Sequence, residues 1–363
     1  MRHRQYGVAV IGSGRMGTLR AGMAAAHPAV TYLAVSDLDA DKAKRLAGDV
    51  GADRHSGDNS ELINDERVGA VIVSTAEPNH AAPAIEALEL GKPVLVEKPI
   101  ALTIADADRM NEAAKASGAS IHVGYSLRFN RQFLVGRQQI IDGKLGRITG
   151  AVGRFYNNRA NALQVLQRSA EATFVKDALT YLVDLFGWYL DDARPVEVIA
   201  RSHGLVYREQ GYDADENTFA IVTYEDGTLA NLSIGYALPA DYPSHGRLVR
   251  AEVLGDKGVV FLDQDHRESI LHSEVPSTHA YAGVDTNMAF LTSNASGNKA
   301  LGGYWGPLGD ETRSWLDFVS TGRPCPHATG TQARQTLEVT TAIDMSSALG
   351  EAISLPLQPG LNS

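Results

Sequence analysis

The segment VAVIGSGRMG, residues 8–17, constrains the fold of this chain more than any other, because it places a glycine-rich turn between a strand and a helix. Gly12, Gly14 and Gly17 have the spacing G-x-G-x-x-G. The first glycine permits a tight turn, the second lets backbone approach a pyrophosphate, and the third lets the helix pack closely on the strand. A helix amino terminus also favours anions. The segment therefore predicts the opening of a dinucleotide-binding domain.

Strands and helices alternate along residues 1–124, with apolar runs such as GAVIVST between alanine-rich helical segments. Strands that are apolar throughout, in this alternation, predict an α/β fold with a parallel sheet covered on both faces. We therefore predict a Rossmann dinucleotide-binding domain at residues 1–124.

The pattern changes in the remainder of the chain, residues 125–363, where the strand-like runs are longer and more alternating. YEDGTLANL predicts a hairpin with Asp226-Gly227 at the turn, so we predict a second α+β domain with a mostly antiparallel sheet. The polar residues 264–309 are interpreted as a long connection. GDETRSWLDFVST and TQARQTLEVTTAIDMSSALGE are closing helices, which are expected to complete the second domain or to pack back on the first.

Composition excludes several classes of protein. The 363 residues suit two domains, and a net charge of −10 without a Lys/Arg-rich run argues against a nucleic-acid or anionic-membrane partner. Cys325 is the single cysteine, which fits a reducing compartment. Neither a signal peptide nor an apolar run of ~18 residues is present, so we predict a cytoplasmic protein. No His/Cys ligand spacing suggests a metal site.

Asp37 ends the second predicted strand, twenty residues after Gly17. A carboxylate there accepts hydrogen bonds from the ribose 2′-hydroxyl and repels a 2′-phosphate, so NAD is favoured over NADP. Leu38 supplies no compensating positive charge, although Arg15 in the glycine turn could. Arg15 and Met16 are themselves predicted to contact the cofactor.

A helical stripe of polar residues crosses the otherwise apolar segment TFVKDALTYLVDLFGWYL, Thr173 to Leu190. Asp177, Tyr181 and Asp184 stand at i, i+4 and i+7, which puts them on one face of a helix. Taken alone, such a stripe is typical of a solvated surface.

The motif Glu97-Lys98-Pro99 follows a strand in GKPVLVEKPI, at the strand end where open α/β sheets bind ligands. Together with VIGSGRMG, VSDLD, HAAPAIEALELG, HVGYSLRFN and LGDKG, it makes nearly the whole chain resemble the family of glucose–fructose oxidoreductase, inositol dehydrogenase and the rhizopine-catabolism dehydrogenases (Gfo/Idh/MocA). Members typically oxidise a sugar or cyclitol hydroxyl, or reduce the matching ketone. The resemblance implies that the second sheet is large and open, facing the active site or a neighbouring subunit in a homodimer or homotetramer.

The resemblance assigns roles to several residues of the first domain. Lys98 is expected beside the nicotinamide and the reacting oxygen, and Glu97 is expected to line the cofactor site. Thr75 and His80 correspond to the family's Thr-Pro-Asn and His-Ala motifs, although Ala-Glu follows Thr75 here. Ser74, beside Thr75, is also a predicted cofactor contact. Alternatively, His80 only shapes the loop at the start of a helix.

The family's Asp-x-x-x-His motif corresponds to Asp177 and Tyr181, so tyrosine stands where histidine is usual, as in glucose–fructose oxidoreductase itself. The glycines that usually precede this motif are missing. A tyrosine hydroxyl titrates near pH ~10, and a neighbouring ammonium group favours its phenolate form. Tyr181 is therefore predicted to be the general acid/base. Lys98 is predicted to polarise the substrate oxygen and tune Tyr181, and Asp177 to accept a second hydroxyl or hold the lysine.

Substrate recognition is expected to involve polar residues near strand ends of both domains. The predicted contacts are Tyr125, Arg128, Asn130, Asn157 and Tyr236. A structural role for Arg128 is equally consistent with its position, and Asp184 is interpreted as structural.

Three functions remain open at this point. The first is a dehydrogenase of a sugar, cyclitol or related polyol in which NAD carries the redox chemistry. The second is an NAD(P)H-dependent ketosugar reductase in biosynthesis. The third is a non-enzymatic sensor of a nucleotide or sugar, since the family contains a repressor-type regulator. Retention of Lys98, Asp177 and Tyr181 argues against the sensor.

Overall fold

The computed structural model describes residues 4–168, 173–239, 247–263, 270–278, 285–290, 298–300 and 303–358. Its strands are β1 Tyr6–Ile11, β2 Val30–Ser36, β3 Arg54–Ser56, β4 Val68–Val73, β5 Val94–Glu97, β6 Ile121–Gly124, β7 Ile148–Asn158, β8 Pro195–His203, β9 Asn217–Tyr224, β10 Leu229–Leu238, β11 Arg247–Gly255, β12 Val259–Asp263, β13 Ile270–Thr278, β14 Asp285–Phe290, β15 Asn298–Ala300, β16 Gly303–Trp305, β17 Ala328–Thr329 and β18 Ile353–Ser354. Its α-helices are α1 Arg15–Ala25, α2 Ala40–Val50, α3 Asn59–Ile63, α4 Ala81–Glu89, α5 Ile104–Ser117, α6 Arg131–Ile141, α7 Arg159–Arg168, α8 Thr180–Tyr189, α9 Pro307–Thr321 and α10 Gly330–Leu349. A π-helix spans Val175–Leu179, and 3-10 turns span Glu77–Asn79, Ser126–Phe129 and Arg208–Gln210.

The chain divides into two compact units that interleave along the sequence. The first unit comprises Met1–Ser126 and Lys299–Arg334, and the second comprises Leu127–Asn298 and Gln335–Ser363. A segment distant in sequence, which contains α9, therefore belongs to the first unit. None of the described helices is long and apolar enough to cross a membrane.

The sheet of the first unit has the strand order β17-β6-β5-β4-β1-β2-β3. Strands β1 to β6 pair in parallel, and β17 joins β6 antiparallel. Residues such as Val8, Val10 and Ile72 have no exposed surface, because helices cover both faces of a doubly wound sheet. Since parallel strands end at the same edge, the residues after β1, β2, β4 and β5 come together there.

Two glycines of the first turn are required by close backbone approach. Gly12 has φ +98°, and a Cβ atom on it would lie 2.7 Å from the Ser74 carbonyl carbon. A Cβ atom on Gly17 would lie 1.7 Å from the Gly12 oxygen. Neither position can therefore carry a side chain while β1, β4 and α1 keep this packing.

The sheet of the second unit has the strand order β12-β11-β7-β10-β9-β8-β18. Strands β7 and β10 pair in parallel, and the other neighbouring pairs are antiparallel. Strands β9 and β10 form the predicted hairpin, with Gly227 at φ +87° in its turn. The predicted fold class, a Rossmann domain with a second, mostly antiparallel α+β domain, is confirmed.

One face of this second sheet carries exposed apolar side chains. Strand register places the following residues in one row across six strands: Ile199, Ile221, Asn231, Val152, Glu252 and Phe261. The apolar members of the row are 40–65% exposed, and Phe219 on the same face is 54% exposed. Ala220 and Val222, which alternate with them on β9, are buried. Among the described residues, this unit therefore covers its sheet on one face only.

Two parts of the sequence prediction need correction. Residues 264–309 are not simply a connection, because they contain β13 to β16 and the start of α9. Residues 264–269, 279–284, 291–297 and 301–302 of this segment lie outside the described residues. The strand β3 and the helix α3 were not predicted either. These elements have three and five residues, too few to show a hydrophobic period.

Candidate active site

A cavity of about 200 Å³ lies at the carboxyl edge of the first sheet. It is lined by Gly12, Gly14, Asp37, Leu38, Asn59, Ser74, Thr75, Ala76 and Asn79. The turns after β1, β2 and β4 thus contribute to one site. Five of the predicted cofactor residues lie around it, and Leu38, Asn59, Ala76 and Asn79 were not among the predictions.

The start of α1 suits the pyrophosphate of a dinucleotide. Gly14 is the N-cap of α1, and none of the described side chains accepts a hydrogen bond from the first amides of this helix. The space beside Gly14 is open, since a Cβ atom on it would meet no atom within 4 Å. The first backbone N–H groups of a helix have no partner within that helix and attract an anion. Arg15 is exposed and Met16 half-buried in this first turn.

Ser74 provides a second indication of a polar ligand. Its side chain is 6% exposed and lines the cavity, and its hydroxyl oxygen makes no hydrogen bond to any described residue. A buried hydroxyl without a partner is costly, so a polar group in the cavity would stabilise it. The residues present therefore fit a dinucleotide.

Asp37 is positioned for ribose recognition by two backbone groups. Its Oδ2 atom accepts a hydrogen bond from the Ser13 amide at 2.8 Å, and its Oδ1 atom accepts one from the Asp39 amide at 3.0 Å. Asp39 in turn caps α2, as its side chain accepts from the Asp41 and Lys42 amides. The carboxylate is thus held at the cavity wall beside the exposed Leu38.

His80 links the loop after β4 to the Glu97-Lys98-Pro99 segment. Its Nδ1 atom lies 2.9 Å from the Pro99 oxygen, and its Nε2 atom lies 3.2 Å from the Thr75 oxygen. Burial lowers the pKa of His80, so the neutral ring, with a single N–H, is favoured. The ring is 1% exposed and Thr75 Oγ1 donates to the Asn79 oxygen at 3.0 Å. These contacts support the alternative role for His80, that of shaping the loop.

Lys98 follows the last residue of β5 and is half-buried. Glu97, immediately before it, is held by Arg20, whose Nε atom donates to Glu97 Oε1 at 2.8 Å. Arg20 also forms an ion pair of 2.8 Å with Glu311 of α9. The described contacts of Glu97 are therefore within the core of the first unit, whereas it was predicted to line the cofactor site. Arg20 and Glu311 were not among the predicted residues, although an arginine at a buried position of α1 is unusual enough to suggest a role.

In the second unit, Asp177 lies in the π-helix that precedes α8. The hydroxyl group of Tyr236 donates a hydrogen bond to Asp177 Oδ2. The Tyr236 ring stacks on Phe174 with centroids 4.3 Å apart, and its backbone oxygen accepts from the Tyr207 hydroxyl at 2.5 Å. Tyr236 has no exposed surface, and its hydroxyl group orients the Asp177 carboxylate. Substrate contact by Tyr236 stays a prediction. π-Turns within helices are frequent at functional sites.

The predicted stripe of three polar residues separates into different environments. Tyr181 lies in the first turn of α8, is 8% exposed and stacks on Phe155 with centroids 6.2 Å apart. Asp184 is 1% exposed and accepts from Arg128 Nε at 2.8 Å and Nη2 at 2.7 Å. Burial raises the pKa of Asp184, although the Arg128 guanidinium opposes that shift. The structural interpretation of Asp184 agrees with these contacts. Arg128 is 2% exposed, and this ion pair supports the structural alternative for it.

The remaining predicted substrate contacts are buried. Asn130 caps α6, since its Oδ1 atom accepts from the Gln132 amide at 3.3 Å. Asn157 Oδ1 accepts from the Asn158 amide at 3.0 Å and from Asn161 Nδ2 at 2.7 Å. Tyr125 is 1% exposed and lies one residue before the end of the first segment of the first unit. Asn130 therefore has a capping role, whereas substrate contact by Asn157 and Tyr125 stays a prediction.

Two protein-family models match this chain. The family model described as "Oxidoreductase family, NAD-binding Rossmann fold" matches residues 6–125, and the Gfo/Idh/MocA C-terminal domain model matches residues 133–261. The chain belongs to the Gfo/Idh/MocA family and is an NAD-dependent oxidoreductase.

Individual relatives agree with this assignment. The chain is 29% identical over 262 residues to an inositol 2-dehydrogenase of Acidothermus cellulolyticus, covering 71% of this chain and 73% of the relative. It is 27% identical over 271 residues to the scyllo-inositol 2-dehydrogenase (NAD(+)) of Bacillus subtilis, covering 72% and 75%. The structure of scyllo-inositol dehydrogenase from Lactobacillus casei with NAD(H) and scyllo-inositol matches with a TM-score of 0.78 at 17% identity, over 97% and 99% of the two chains. At that identity the match shows the fold alone.

The position of Asp37 leads to a prediction about cofactor choice. We expect Asp37→Ala to weaken NADH binding, because it removes a hydrogen-bond acceptor for the ribose 2′-hydroxyl. It should tighten NADPH binding, because it removes a negative charge that repels the 2′-phosphate. The ratio of NADPH to NADH dissociation constants should fall by about 10-fold or more. Fluorescence titration of both cofactors measures the two dissociation constants. Asp41→Ala, an exposed carboxylate nearby on α2, is the control. An unchanged ratio of the two constants would show that Asp37 does not select the cofactor.

Proposed function

We propose that the protein oxidises a secondary hydroxyl of a sugar, cyclitol or related polyol with NAD. The observation that carries this proposal is the similarity to inositol 2-dehydrogenases along about seven-tenths of both chains. The retained Lys98, Asp177 and Tyr181, at positions where the family has its reactive lysine, acid and proton carrier, support it. The glycine turn and the Ser74 hydroxyl support the cofactor.

When held by the glycine turn, Asp37 and Ser74, NAD would supply the hydride acceptor for oxidation of a carbinol carbon. Lys98 would polarise the substrate oxygen through its ammonium group, which stabilises negative charge as it develops. Tyr181 would take the hydroxyl proton as general base in oxidation and return it as general acid in reduction. Asp177, held by the Tyr236 hydroxyl, would accept a hydrogen bond from a second substrate hydroxyl. A carboxylate with a fixed orientation suits a rigid ring of hydroxyl groups.

A substrate screen tests this proposal. NAD reduction would be measured with inositols, aldoses and glycosides, and NADH oxidation with ketosugars, at matched enzyme concentration. We expect turnover with at least one cyclitol or sugar, and the faster direction separates a catabolic dehydrogenase from a biosynthetic reductase. Binding of NADH without turnover of any of these compounds would contradict the proposal and favour the sensor. Lys98→Ala provides the background rate.

We further propose that the exposed face of the second sheet forms a homodimer or homotetramer contact. Exposed apolar residues recur across the face from Ile199 to Phe261, and exposed apolar side chains clustered on one face typically mark an interface. Glu252 and Asn231 in the same row would add polar contacts.

The change Ile221→Glu/Phe261→Glu is expected to shift the protein toward monomer, because it would bury like charges at this contact. Mass photometry or light scattering measures the assembly. Leu134→Glu/Ile141→Glu, on the exposed side of α6, is the control. If the double sheet variant keeps the wild-type mass, this face is not the contact.

A further inference from the structure

Arg20, Glu97 and Glu311 form a buried ion network in the first unit. The Arg20 Nη2 atom lies 2.7 Å from Glu97 Oε1 and 2.8 Å from Glu311 Oε2, and Nη1 donates to Thr312 Oγ1 at 2.7 Å. Arg20 and Glu311 have no exposed surface, and Glu97 is 8% exposed. The network therefore joins α1, the end of β5 and α9.

Stability alone is a weak reason to bury these charges. Burial would lower the pKa of the Arg20 guanidinium, but the Glu311 and Glu97 carboxylates raise it above its usual value, so the arginine is charged. Removing three charges from water is expensive, and well-packed apolar residues of similar volume often stabilise a core equally well. An arginine between two carboxylates contributes directional hydrogen bonds, because its planar guanidinium group fixes the positions of both carboxylates.

Arg20 in this way fixes the position of Glu97, the residue next to Lys98. Glu97 is the last residue of β5, and Lys98 follows it directly. The neighbouring strand end leaves room for the network, since a Cβ atom on Gly124 would lie 2.8 Å from Arg20 Nη2 and 3.4 Å from Glu97 Oε2. Arg20 itself belongs to α1, the helix that begins at the glycine turn. One guanidinium thus links the helix of the phosphate turn to the strand end that carries the lysine.

We propose that Arg20 and Glu311 are positioning residues that hold Glu97 and thereby set the placement of Lys98 for hydride transfer. The inference rests on the proposed role of Lys98. It assigns Glu97, the first residue of the Glu-Lys-Pro motif, to the support of the lysine. It also gives α9 a part in the reaction, although α9 lies about 200 residues further along the chain.

The test replaces the network by apolar side chains of similar length. In Arg20→Met/Glu97→Met/Glu311→Met, no buried charge is left unpaired, so folding is expected to persist. We expect an NADH dissociation constant within about twofold of wild type and a kcat about 10- to 100-fold lower, because small displacements of reacting groups have effects of that size. A kcat within twofold of wild type in the folded variant would overturn the proposal.

A second variant keeps the proposal testable if the triple variant does not fold. Arg20→Lys retains the charge but cannot hold two carboxylates in fork geometry, so kcat is expected to fall about fivefold or more at unchanged NADH affinity. Arg54→Lys is the matched control, because Arg54 also joins two carboxylates, those of Glu61 and Asp65, in a partly exposed part of the same unit. Equal losses of kcat in both variants, or no loss in Arg20→Lys, would contradict the proposal.

A measurement without substrate separates this inference from the proposed function. Lysines would be labelled by reductive ¹³C-methylation, and the Lys98 resonance assigned by its absence in Lys98→Arg. We expect its chemical shift and titration midpoint to change in the network variants and not in Arg54→Lys. A lower kcat with an unchanged Lys98 resonance would overturn the proposal, since the loss of activity would then not arise from a change in the placement of Lys98. Absence of turnover in the wild type would count against the proposed function, while the resonance would still decide the network's role.

Discussion

Lys98→Ala is expected to lower kcat for polyol oxidation about 100- to 1,000-fold, because it removes the positive charge that stabilises the developing alkoxide. Binding of NADH should change little, since the pyrophosphate and ribose are expected to bind at the glycine turn and Asp37. Initial rates under saturating substrate and cofactor measure kcat, and fluorescence titration measures NADH affinity.

The control is Lys115→Ala, which removes an exposed lysine from α5 in the same unit. Lys98→Arg adds a second comparison, because it keeps the charge but changes its shape, and should recover part of the rate. If Lys98→Ala turns over the best substrate at the wild-type rate, the assignment of the active site is wrong.

Tyr181→Phe is expected to lower kcat about 100- to 10,000-fold through loss of the general acid/base. The ring that stacks on Phe155 is kept, so packing in this part of the second unit should be preserved. A base accepts a proton only when deprotonated, so wild-type oxidation should rise with pH through the pKa of that base. The variant should lose this rising limb, and a pH profile of kcat/KM measures the difference.

Tyr212→Phe removes a hydroxyl group from a different tyrosine of the second unit, one that is partly exposed, and should leave both the rate and the pH profile unchanged. If Tyr181→Phe retains the wild-type rate and pH profile, the proton carrier is a different residue.

Much of the fold was predictable because its signals are local. Apolar runs between alanine-rich segments predicted β1, β2, β4, β5 and β6, and Asp226-Gly227 predicted the β9–β10 hairpin. The glycine spacing predicted a close approach that the structure shows in detail at Gly12 and Gly17. Strands β13 to β16 were missed because their polar, Gly/Ser/Asn-rich surroundings carry no clear period.

The candidate site was predictable where strand ends determine it. Parallel strands bring the residues that follow them to one edge, and Gly12, Asp37 and Ser74 accordingly line one cavity. Substrate contacts were harder to predict, since a polar residue near a strand end can equally serve as a helix cap or bind a neighbouring side chain. Asn130 and Arg128 have these structural roles.

The sequence by itself determined the family, the dinucleotide turn and the candidate acid, lysine and phenol, because these depend on residue identity at short spacings. Only the tertiary structure decided which side chains hold them. The Arg128–Asp184, Tyr236–Asp177 and Arg20–Glu97 contacts join residues separated by 56, 59 and 77 positions. Such pairs form when helices pack on sheets and exclude water, so that each buried polar group must find a partner brought near by the fold. The helical spacing therefore predicted that Asp177, Tyr181 and Asp184 share one face of a helix. In the folded structure, Asp177 and Asp184 bind different partners, Tyr236 and Arg128.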